Sequence, residues 1–362
     1  MADDFIASLA RRVCDAAQRK APLRIRGGGT KDFYGGESLG DAVEMSGYSG
    51  IVAYEPKELV LTVRAGTRLG EVQAALAAER QMLAFEPPHF DAPPDGSGAP
   101  ARAATIGGMV ATGLSGPRRP YAGAVRDFVL GTRIVNGKGE DLSFGGRVIK
   151  NVAGYDVSRL MTGALGTLGI ITEVSFKVLP RPAAEATLAF ELDEAAAIAR
   201  ANQWAGQPLP LSATAWQQGV LRVRLSGAQP AVQAAKAKLG GEDLAEGEAY
   251  WRDLREHRLA FFASGAPLWR LSLPQATEPL ELPHPQLIEW GGGVRWVVGE
   301  FKPLDIRSTA ERVGGHATLF RGGDRAGGAF HPLQPALLKI HRRLKDAFDP
   351  AGILNPGRMY DF

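Results

Sequence analysis

The sequence predicts an α+β protein of two domains, followed by a tail that returns to the first domain. The chain has 362 residues, enough for about two domains, and its 45% hydrophobic and 22% charged residues are ordinary for a globular protein. Three glycine-rich segments adjoin strands and short helices before residue 170. After Pro182 the glycine loops become rarer and predicted strands alternate with predicted helices, which indicates a second α+β domain over 183–328.

The composition excludes several classes of protein. The single cysteine, Cys14, cannot form an intrachain disulfide or a cysteine-ligated zinc or iron–sulfur site, and it is typical of a reducing cytoplasm. No apolar run reaches the ~20 residues that span a membrane, and the N-terminus lacks a signal-peptide core. The densest basic stretch, 339–345, shares a predicted helix with a set of apolar residues (Leu337, Ile340, Leu344 and Phe348). This pattern favours a packed helix with a solvated basic face over a nucleic-acid site.

The elements of the first domain are predicted from their periodicity. Apolar residues recur every four positions over 3–19 and predict a helix, and the strand Leu23–Arg26 then enters the first glycine loop. Residues 59–64 alternate as a strand, and 67–80 follow as an amphipathic helix with Thr67 as its N-cap. The other predicted elements are a hairpin turning at Asn136-Gly137, helices at 155–162, 193–203, 231–239, 250–262 and 335–348, and strands at 170–178, 187–192, 220–225, 269–273 and 294–298.

The glycine segments read "RGGGT", "TIGGMVATGLSG" and "GALGTLGIIT". Glycine permits positive φ and lets backbone N–H groups approach a ligand without an intervening Cβ. Successive N–H groups on such turns can bind phosphate oxygens, and the hydroxyls of Thr30, Thr112 and Ser115 can add donors. One such segment is usually an ordinary turn, whereas three of them beside strands or short helices indicate a long, dinucleotide-like ligand.

Two common nucleotide sites do not fit this pattern. The Walker sequence G-x-x-x-x-G-K-[ST] is absent, which argues against a P-loop nucleotide hydrolase. A Rossmann site needs G-x-G-x-x-G at the start of a helix. Here Asp32 stands where the third glycine would follow Gly27 and Gly29, and no helix is predicted directly after them.

In its order of segments, the chain resembles the FAD-binding domain of the vanillyl-alcohol oxidase type, also called the PCMH type, over 20–182 and in the tail "FDPAGILNPGRM". The resemblance implies a two-subdomain FAD-binding domain at 1–182 and a smaller α+β cap at 183–328 that contacts substrate or a subunit. It also implies a C-terminal helix and tail at 329–362 that pack back on the first domain.

In this family the first segment binds the FAD pyrophosphate, the second passes the pyrophosphate, ribose and flavin, and the third lies by the adenine. The contacts that the resemblance implies are Arg26, Gly27, Gly28, Gly29, Thr30, Lys31, Thr105, Gly107, Gly108, Thr112, Gly113, Ser115, Gly166, Gly169, Ile171 and Asn355. Relatives commonly attach the flavin covalently to a histidine of the first loop, which here offers only glycine, threonine and lysine. We therefore expect non-covalent FAD.

Across its whole length, including "NVAGYDVSRLMTGALGTLGIITEVSFKVLPRP", "YWRDLREH" and "GGHATLFRGG", the chain is similar to the FAD-binding accessory subunits of bacterial glycolate oxidases. This resemblance implies a larger flavin subunit and an iron–sulfur subunit as partners, and a small 2-hydroxy acid such as glycolate as substrate. It implies a cytoplasmic location, and leaves open a peripheral attachment to a membrane through those partners.

The sequence offers few catalytic candidates. Relatives that oxidise D-2-hydroxy acids carry a metal-binding motif similar to H-x-G-D-G-N, and the nearest residues here are His316, Asp324 and His331. Beside the two histidines a metal site would need a third ligand, for which only Asp324 is close in sequence, and we expect no metal site. His331 and His316 are the acid–base candidates. Arg118 or Arg119 could bind a carboxylate or the pyrophosphate, or both could be solvated loop residues.

Three hypotheses remain open at this point. The chain could be a flavin subunit of a glycolate-oxidising complex that passes electrons or completes the active site. It could be a self-sufficient FAD-dependent D-2-hydroxy-acid dehydrogenase. It could also be a scaffold subunit in which FAD has a structural role only.

Overall fold

The computed structural model describes residues 2–91, 102–146 and 155–361, which form α-helices packed on two large antiparallel sheets and two small two-stranded sheets. The α-helices are α1 (Ala2–Arg19), α2 (Leu69–Ala78), α3 (Ile106–Thr112), α4 (Arg119–Ala122), α5 (Val125–Phe128), α6 (Val157–Met161), α7 (Glu194–Ala205), α8 (Gln229–Leu239), α9 (Gly247–Arg255), α10 (Pro303–Arg312) and α11 (Pro335–Phe348). The β-strands are β1 (Leu23–Arg26), β2 (Asp41–Glu44), β3 (Ile51–Glu55), β4 (Val60–Arg64), β5 (Gln81–Met82), β6 (Val129–Val135), β7 (Asp141–Gly145), β8 (Ile170–Lys177), β9 (Leu179–Pro180), β10 (Ala184–Glu191), β11 (Leu211–Gln217), β12 (Val220–Gly227), β13 (Glu242–Asp243), β14 (Leu268–Ser272), β15 (Gln286–Glu289), β16 (Val294–Val298) and β17 (His316–Arg321).

The first strand lies between the N-terminal helix and the C-terminal tail. β1 pairs in parallel with β2, and the Leu23 N–H donates to the Ile353 carbonyl at 2.7 Å. Leu9 and Val13 of α1 are buried in the same cluster as Ile353 and Leu354. The tail therefore returns to the beginning of the chain, beside the point where β1 enters the first glycine loop.

A five-stranded antiparallel sheet, in the order β3-β4-β8-β6-β7, lies in the first half of the chain. The predicted hairpin is β6 and β7, which pair on either side of Asn136-Gly137. Leu61, Val63 and Phe176 of the sheet are buried together with Met109 of α3. Because α3 carries the second glycine segment, this packing fixes that segment over the sheet.

The second sheet has eight antiparallel strands in the order β13-β10-β12-β11-β15-β16-β14-β17, and helices α7 to α10 pack around it. The predicted strands and helices of this region are present, but the sequence did not predict β11, β15 or β17. Each of these strands is buried at four or more consecutive residues. Both faces of these strands are therefore covered over those residues, and a short strand buried on both faces is hard to recognise from periodicity.

Two local predictions were wrong. The helix predicted at 250–262 ends at Arg255, and a separate 3-10 turn covers Ala260–Phe262. Thr67 does not cap α2, because its hydroxyl donates to the Arg64 carbonyl at 2.8 Å and α2 begins two residues later.

Helix α11 has the predicted bounds, but its apolar face is only partly packed. Leu344 and Phe348 contact the core under the five-stranded sheet. Leu337 and Ile340 are 48% and 53% exposed, so the prediction of a fully packed face was wrong for the first half of the helix. That half extends beyond the core.

No helix in the described part of the chain is long and apolar enough to cross a membrane. The five-stranded sheet takes its strands from residues 51–177 and the eight-stranded sheet from 184–321. The division of the chain into domains at residues 182 and 328 stays a prediction.

Candidate functional site

The first glycine loop leaves a row of backbone N–H groups without protein acceptors. Its carbonyl groups are occupied by arginines: Arg102 donates to the Gly29 carbonyl at 2.8 Å, and Arg358 donates to the Lys31 carbonyl at 2.9 Å. Among the described residues, no acceptor is within hydrogen-bond distance of the N–H groups of Gly28, Gly29, Thr30 and Lys31. Consecutive free N–H groups of this kind bind anions.

Two glycines of this loop are required by the protein itself. A Cβ on Gly27 would lie 2.2 Å from the Thr105 Oγ1, and a Cβ on Gly28 would lie 1.6 Å from the Ala103 carbonyl oxygen. The loop therefore packs directly on the backbone that leads into the second glycine segment. The sequence predicted close approach of a ligand, and the structure adds close approach of another part of the chain.

The second segment forms α3, which Thr105 caps by accepting a hydrogen bond from the Gly108 N–H at 3.3 Å. Gly107 packs on the sheet, since a Cβ there would lie 2.8 Å from the Ala65 Cβ. Gly108 is different, because an added Cβ would meet only Thr105 Oγ1, at 3.3 Å. The Thr112 hydroxyl donates to the Gly108 carbonyl at 2.9 Å, inside the helix.

Asn355 joins the tail to the first and third segments. Its Oδ1 accepts from the Ile25 N–H at 2.8 Å and its Nδ2 donates to the Leu165 carbonyl at 2.7 Å. Gly166 has a φ of +73°, and a Cβ there would lie 2.8 Å from the Asn355 Nδ2. One buried amide therefore holds three distant parts of the sequence together.

These segments enclose two adjoining cavities. The larger, of about 240 Å³, lies between the first loop, α3 and the tail, and the smaller, of about 70 Å³, shares Thr105, Gly108 and Asn355 with it. The predicted contacts that line the larger cavity are Arg26, Gly27, Gly28, Gly29, Thr30, Lys31, Thr105, Gly108, Thr112 and Asn355. Those that line the smaller one also include Gly107, Gly166, Gly169 and Ile171.

A further cavity, of about 330 Å³, lies between the second segment and the eight-stranded sheet. Thr112 is shared with the first cavity, and Gly113 and Ser115 continue its wall. The residues that the eight-stranded sheet and its connections add are His257, Arg270, Glu289, Trp290, Trp296 and Phe320. Sequence reasoning named none of these side chains as functional.

Burial shifts the proton equilibria in this cavity. It raises the pKa of Glu289 to about 7, and the hydrogen bond from the Trp296 Nε1 to Glu289 Oε1, 2.7 Å, opposes the shift. The ring of His257 stacks on Phe262, with 4.1 Å between centroids, and burial holds its pKa well below the usual value. At neutral pH the cavity therefore contains a neutral histidine and a carboxyl group that can exchange a proton.

The predicted catalytic histidines are not among the described residues that line this cavity. The His331 Nε2 lies 2.8 Å from Glu311 Oε1, and the two rings of His331 and His316 are 6.3 Å apart. His316 pairs with Ser272 across the β14–β17 ladder, two residues along β14 from Arg270. The catalytic role of both histidines stays a prediction.

Arg118 lies in an ion-pair network between the two sheets. It is 7% exposed, it donates to Ser226 Oγ at 3.0 Å, and it pairs with Glu86 and Glu185. Its guanidinium is thus bound by protein side chains, and a catalytic role for Arg118 also stays a prediction. Arg119, by contrast, lines the 330 Å³ cavity.

Comparison with known proteins identifies the family. Residues 6–145 match the family described as "FAD binding domain", and residues 331–359 match "FAD linked oxidases, C-terminal domain". The glycolate oxidase subunit GlcE of Escherichia coli is 46% identical over 357 residues, which cover 99% of this chain and 98% of that protein. A D-lactate dehydrogenase of Anaerostipes hadrus is 35% identical over 167 residues, 46% of this chain and 33% of that protein.

Solved structures confirm the predicted fold of the vanillyl-alcohol oxidase type. p-Cresol methylhydroxylase superposes with a TM-score of 0.71 at 16% identity, covering 98% of this chain and 87% of that one. Alkyldihydroxyacetonephosphate synthase superposes with a TM-score of 0.64 at 16% identity, covering 96% of this chain and 75% of that one. With near-complete coverage at 46% identity to GlcE, the chain belongs to the FAD-binding glycolate oxidase subunits of the GlcE family.

Proposed function

We propose that this chain is the FAD-binding subunit of a multi-subunit glycolate dehydrogenase that oxidises glycolate to glyoxylate and passes the electrons to an iron–sulfur partner. The observation that carries the proposal is the row of free N–H groups from Gly28 to Lys31 in a chain with GlcE-like sequence throughout. In this proposal FAD-binding residues lie at 1–182, the cap at 183–328 contacts substrate or a subunit, and 329–362 closes the FAD site.

The lining of the first cavity fits a dinucleotide cofactor. The N–H groups of the first loop would bind the pyrophosphate, and the cations Arg24, Arg26, Lys31 and Arg358 outnumber the carboxylates Asp32 and Glu37 around it. Gly108 leaves open space beside them. Bound FAD supplies the two-electron acceptor that protein side chains lack. Since no described residue that lines this cavity is a histidine, cysteine or tyrosine, we propose that the FAD is non-covalent.

Partner subunits follow from the cysteine content and from the relatives. A chain with one cysteine cannot ligate an iron–sulfur cluster through cysteines alone, so the cluster belongs to another subunit. Over 138 residues the chain is 33% identical to a glycolate oxidase subunit GlcD of Bacillus subtilis, which suggests a related larger flavin subunit beside it. We propose a cytoplasmic complex of these subunits, in which any attachment to a membrane is through the partners.

The test is purification of the complex from its native source, with flavin and iron counted per copy of this chain. We expect flavin in this chain, iron only in samples that retain its partners, and glycolate-dependent reduction of an external dye only in the complete complex. If the isolated chain bleaches its flavin rapidly with glycolate or D-lactate, it is instead a self-sufficient D-2-hydroxy-acid dehydrogenase. If removal of the flavin alters assembly but not turnover, the FAD is a structural element of a scaffold subunit.

Lys31 links FAD binding to pH. Its side chain is 7% exposed, and its Nζ donates to Thr30 Oγ1 and to the His89 carbonyl, both at 3.2 Å. Burial lowers the pKa of Lys31 to about 8, although the charges of Glu256 and Asp91 oppose the shift. A bound pyrophosphate favours the ammonium form and raises this pKa again.

We therefore expect the affinity for FAD to be constant below pH 8 and to fall above it, by up to about tenfold per pH unit, because binding must then restore the proton on Lys31. Lys31→Met should bind FAD more weakly at pH 7 and should lack this dependence. Titration of the FAD-free chain at pH 7, 8 and 9 measures both effects. Lys57→Met, which alters an exposed lysine, is the control and should follow the wild type. If Lys31→Met showed the same pH dependence as the wild type, Lys31 would not be the group that links FAD affinity to pH.

A further inference from the structure

Two arginines of the 330 Å³ cavity lie on the same tryptophan and have no ion-pair partner. The guanidinium carbon of Arg119 is 4.6 Å from the centroid of the Trp290 ring, and that of Arg270 is 5.2 Å from it. No carboxylate of the described residues lies within 4.0 Å of either guanidinium. Arg270 donates to Ser272 Oγ at 2.9 Å, a neutral partner.

The surroundings make these unpaired charges unusual. Burial lowers the pKa of both arginines, and repulsion from Arg270 lowers the pKa of Arg119 further. The nearby charges that oppose these shifts, Asp127 for Arg119 and Glu289 and Tyr34 for Arg270, do so only in part. Arginines in low-dielectric surroundings normally have a carboxylate partner, because an uncompensated charge is costly to bury. An anion between the two guanidiniums would remove this cost.

The cavity also contains buried polar nitrogens that lack hydrogen-bond partners. The Trp290 Nε1 and the His257 Nδ1 are buried and have no partner among the described residues. Trp290 is 8% exposed and His257 is 7% exposed, and both line the cavity. A buried indole N–H usually has an acceptor, so its lack of one here suggests that a ligand oxygen supplies it.

The residues that line the cavity carry an excess of positive charge. The described lining residues include four arginines, Arg119, Arg126, Arg255 and Arg270, but only one acid, Glu289. The Arg255 Nε pairs with Glu256 Oε1 at 2.7 Å. Arg126 is exposed, and its Nε lies 4.0 Å from Asp127 Oδ1. The positive charge that is left over therefore belongs to Arg119 and Arg270.

We propose that Arg119 and Arg270, which both lie on the Trp290 ring, bind the carboxylate of a small organic acid within this chain. The cavity adjoins the first cavity at Thr112, so the acid lies at the end of the proposed FAD site. The identity of that acid as a 2-hydroxy acid rests on the proposed function. The carboxylate site itself rests on the two guanidiniums and on the Trp290 N–H without an acceptor.

The test is calorimetric titration of the purified full-length chain with oxalate, a carboxylate that has no C–H bond to lose. We expect saturable binding of one oxalate, and roughly tenfold to hundredfold weaker binding by Arg119→Gln and by Arg270→Gln, since each removes a charged hydrogen-bond donor. Glycolamide, the neutral counterpart of glycolate, should not compete with oxalate. Arg200→Gln is the matched control, because Arg200 lies 5.7 Å from the Trp204 ring but is exposed and does not line this cavity.

Flavin absorbance of the same sample separates the claim of a carboxylate site from the claim that the chain binds FAD. A chain that retains FAD but does not bind oxalate, or that binds it equally well in the Arg119→Gln and Arg270→Gln variants, overturns the carboxylate site and leaves the proposed function standing. A chain that binds oxalate but no FAD overturns the proposed function alone. Circular dichroism checks that each variant is folded. Arg270→Lys, which keeps the charge, should bind oxalate more tightly than a folded Arg270→Gln. If Arg270→Gln does not fold, the comparison of Arg119→Gln with the wild type decides the test.

Discussion

Replacing Gly108 with leucine is expected to weaken FAD binding by roughly a hundredfold or more, because the side chain would occupy space that the cofactor needs. Gly108 lines both adjoining cavities, and an added Cβ meets only Thr105 Oγ1, at 3.3 Å. The new side chain therefore extends into the cavities and not into the protein core. Leucine also favours a helix over glycine, so α3 should remain folded.

The matched control for this variant is Gly70→Leu. Gly70 is also a helical glycine, in α2, and no atom lies within 4 Å of a Cβ built there. We expect both variants to have the melting temperature of the FAD-free wild type, and only Gly108→Leu to lose the flavin during gel filtration. A Gly108→Leu chain that retains its flavin would show that the cavity beside α3 is not the FAD site.

Replacing Gly28 with alanine is expected to lower the free energy of unfolding by about 3 kcal/mol and to abolish FAD binding, through overpacking of two backbone segments. A Cβ at Gly28 would lie 1.6 Å from the Ala103 carbonyl oxygen. The position of that Cβ is fixed by the backbone of the first loop, and the oxygen belongs to the backbone of Ala103, so one segment must move and the row of N–H groups moves with it. Urea unfolding of the FAD-free chain and FAD titration measure the two effects.

Gly47→Ala is the corresponding control in a loop. No atom lies within 4 Å of a Cβ built on Gly47, so the same change of residue should leave stability and flavin binding unaltered. If Gly28→Ala were as stable as Gly47→Ala, the close contact between the first loop and the second segment would be refuted.

The sequence was sufficient to predict the parts of the site that depend on local conformation. Three consecutive glycines in a loop and the Asn136-Gly137 turn both reflect backbone geometry within a few residues. The same reasoning could not show why Gly28 is a glycine. Its nearest neighbour, Ala103, is distant in sequence, and only tertiary packing brings the two together.

The lining of the 330 Å³ cavity, by contrast, does not depend on local conformation. Arg270 lies within β14, whereas Glu289 and Trp290 are consecutive residues at the end of β15, and no spacing in the sequence connects these two places. One signal was present: Arg270 interrupts the apolar strand "LWRLS", and Glu289 ends the buried strand "QLIE". A charged residue within a buried strand calls for a partner or a ligand, and this criterion would have selected both positions.

The central claim is that this single chain binds FAD non-covalently on the N–H groups of its first glycine loop. The most direct measurement is titration of the purified, FAD-free chain with FAD, followed by denaturation and filtration of the saturated sample. We predict one FAD per chain and complete recovery of the flavin in the filtrate. No binding by the folded chain, or flavin that stays with the denatured polypeptide, would contradict the account.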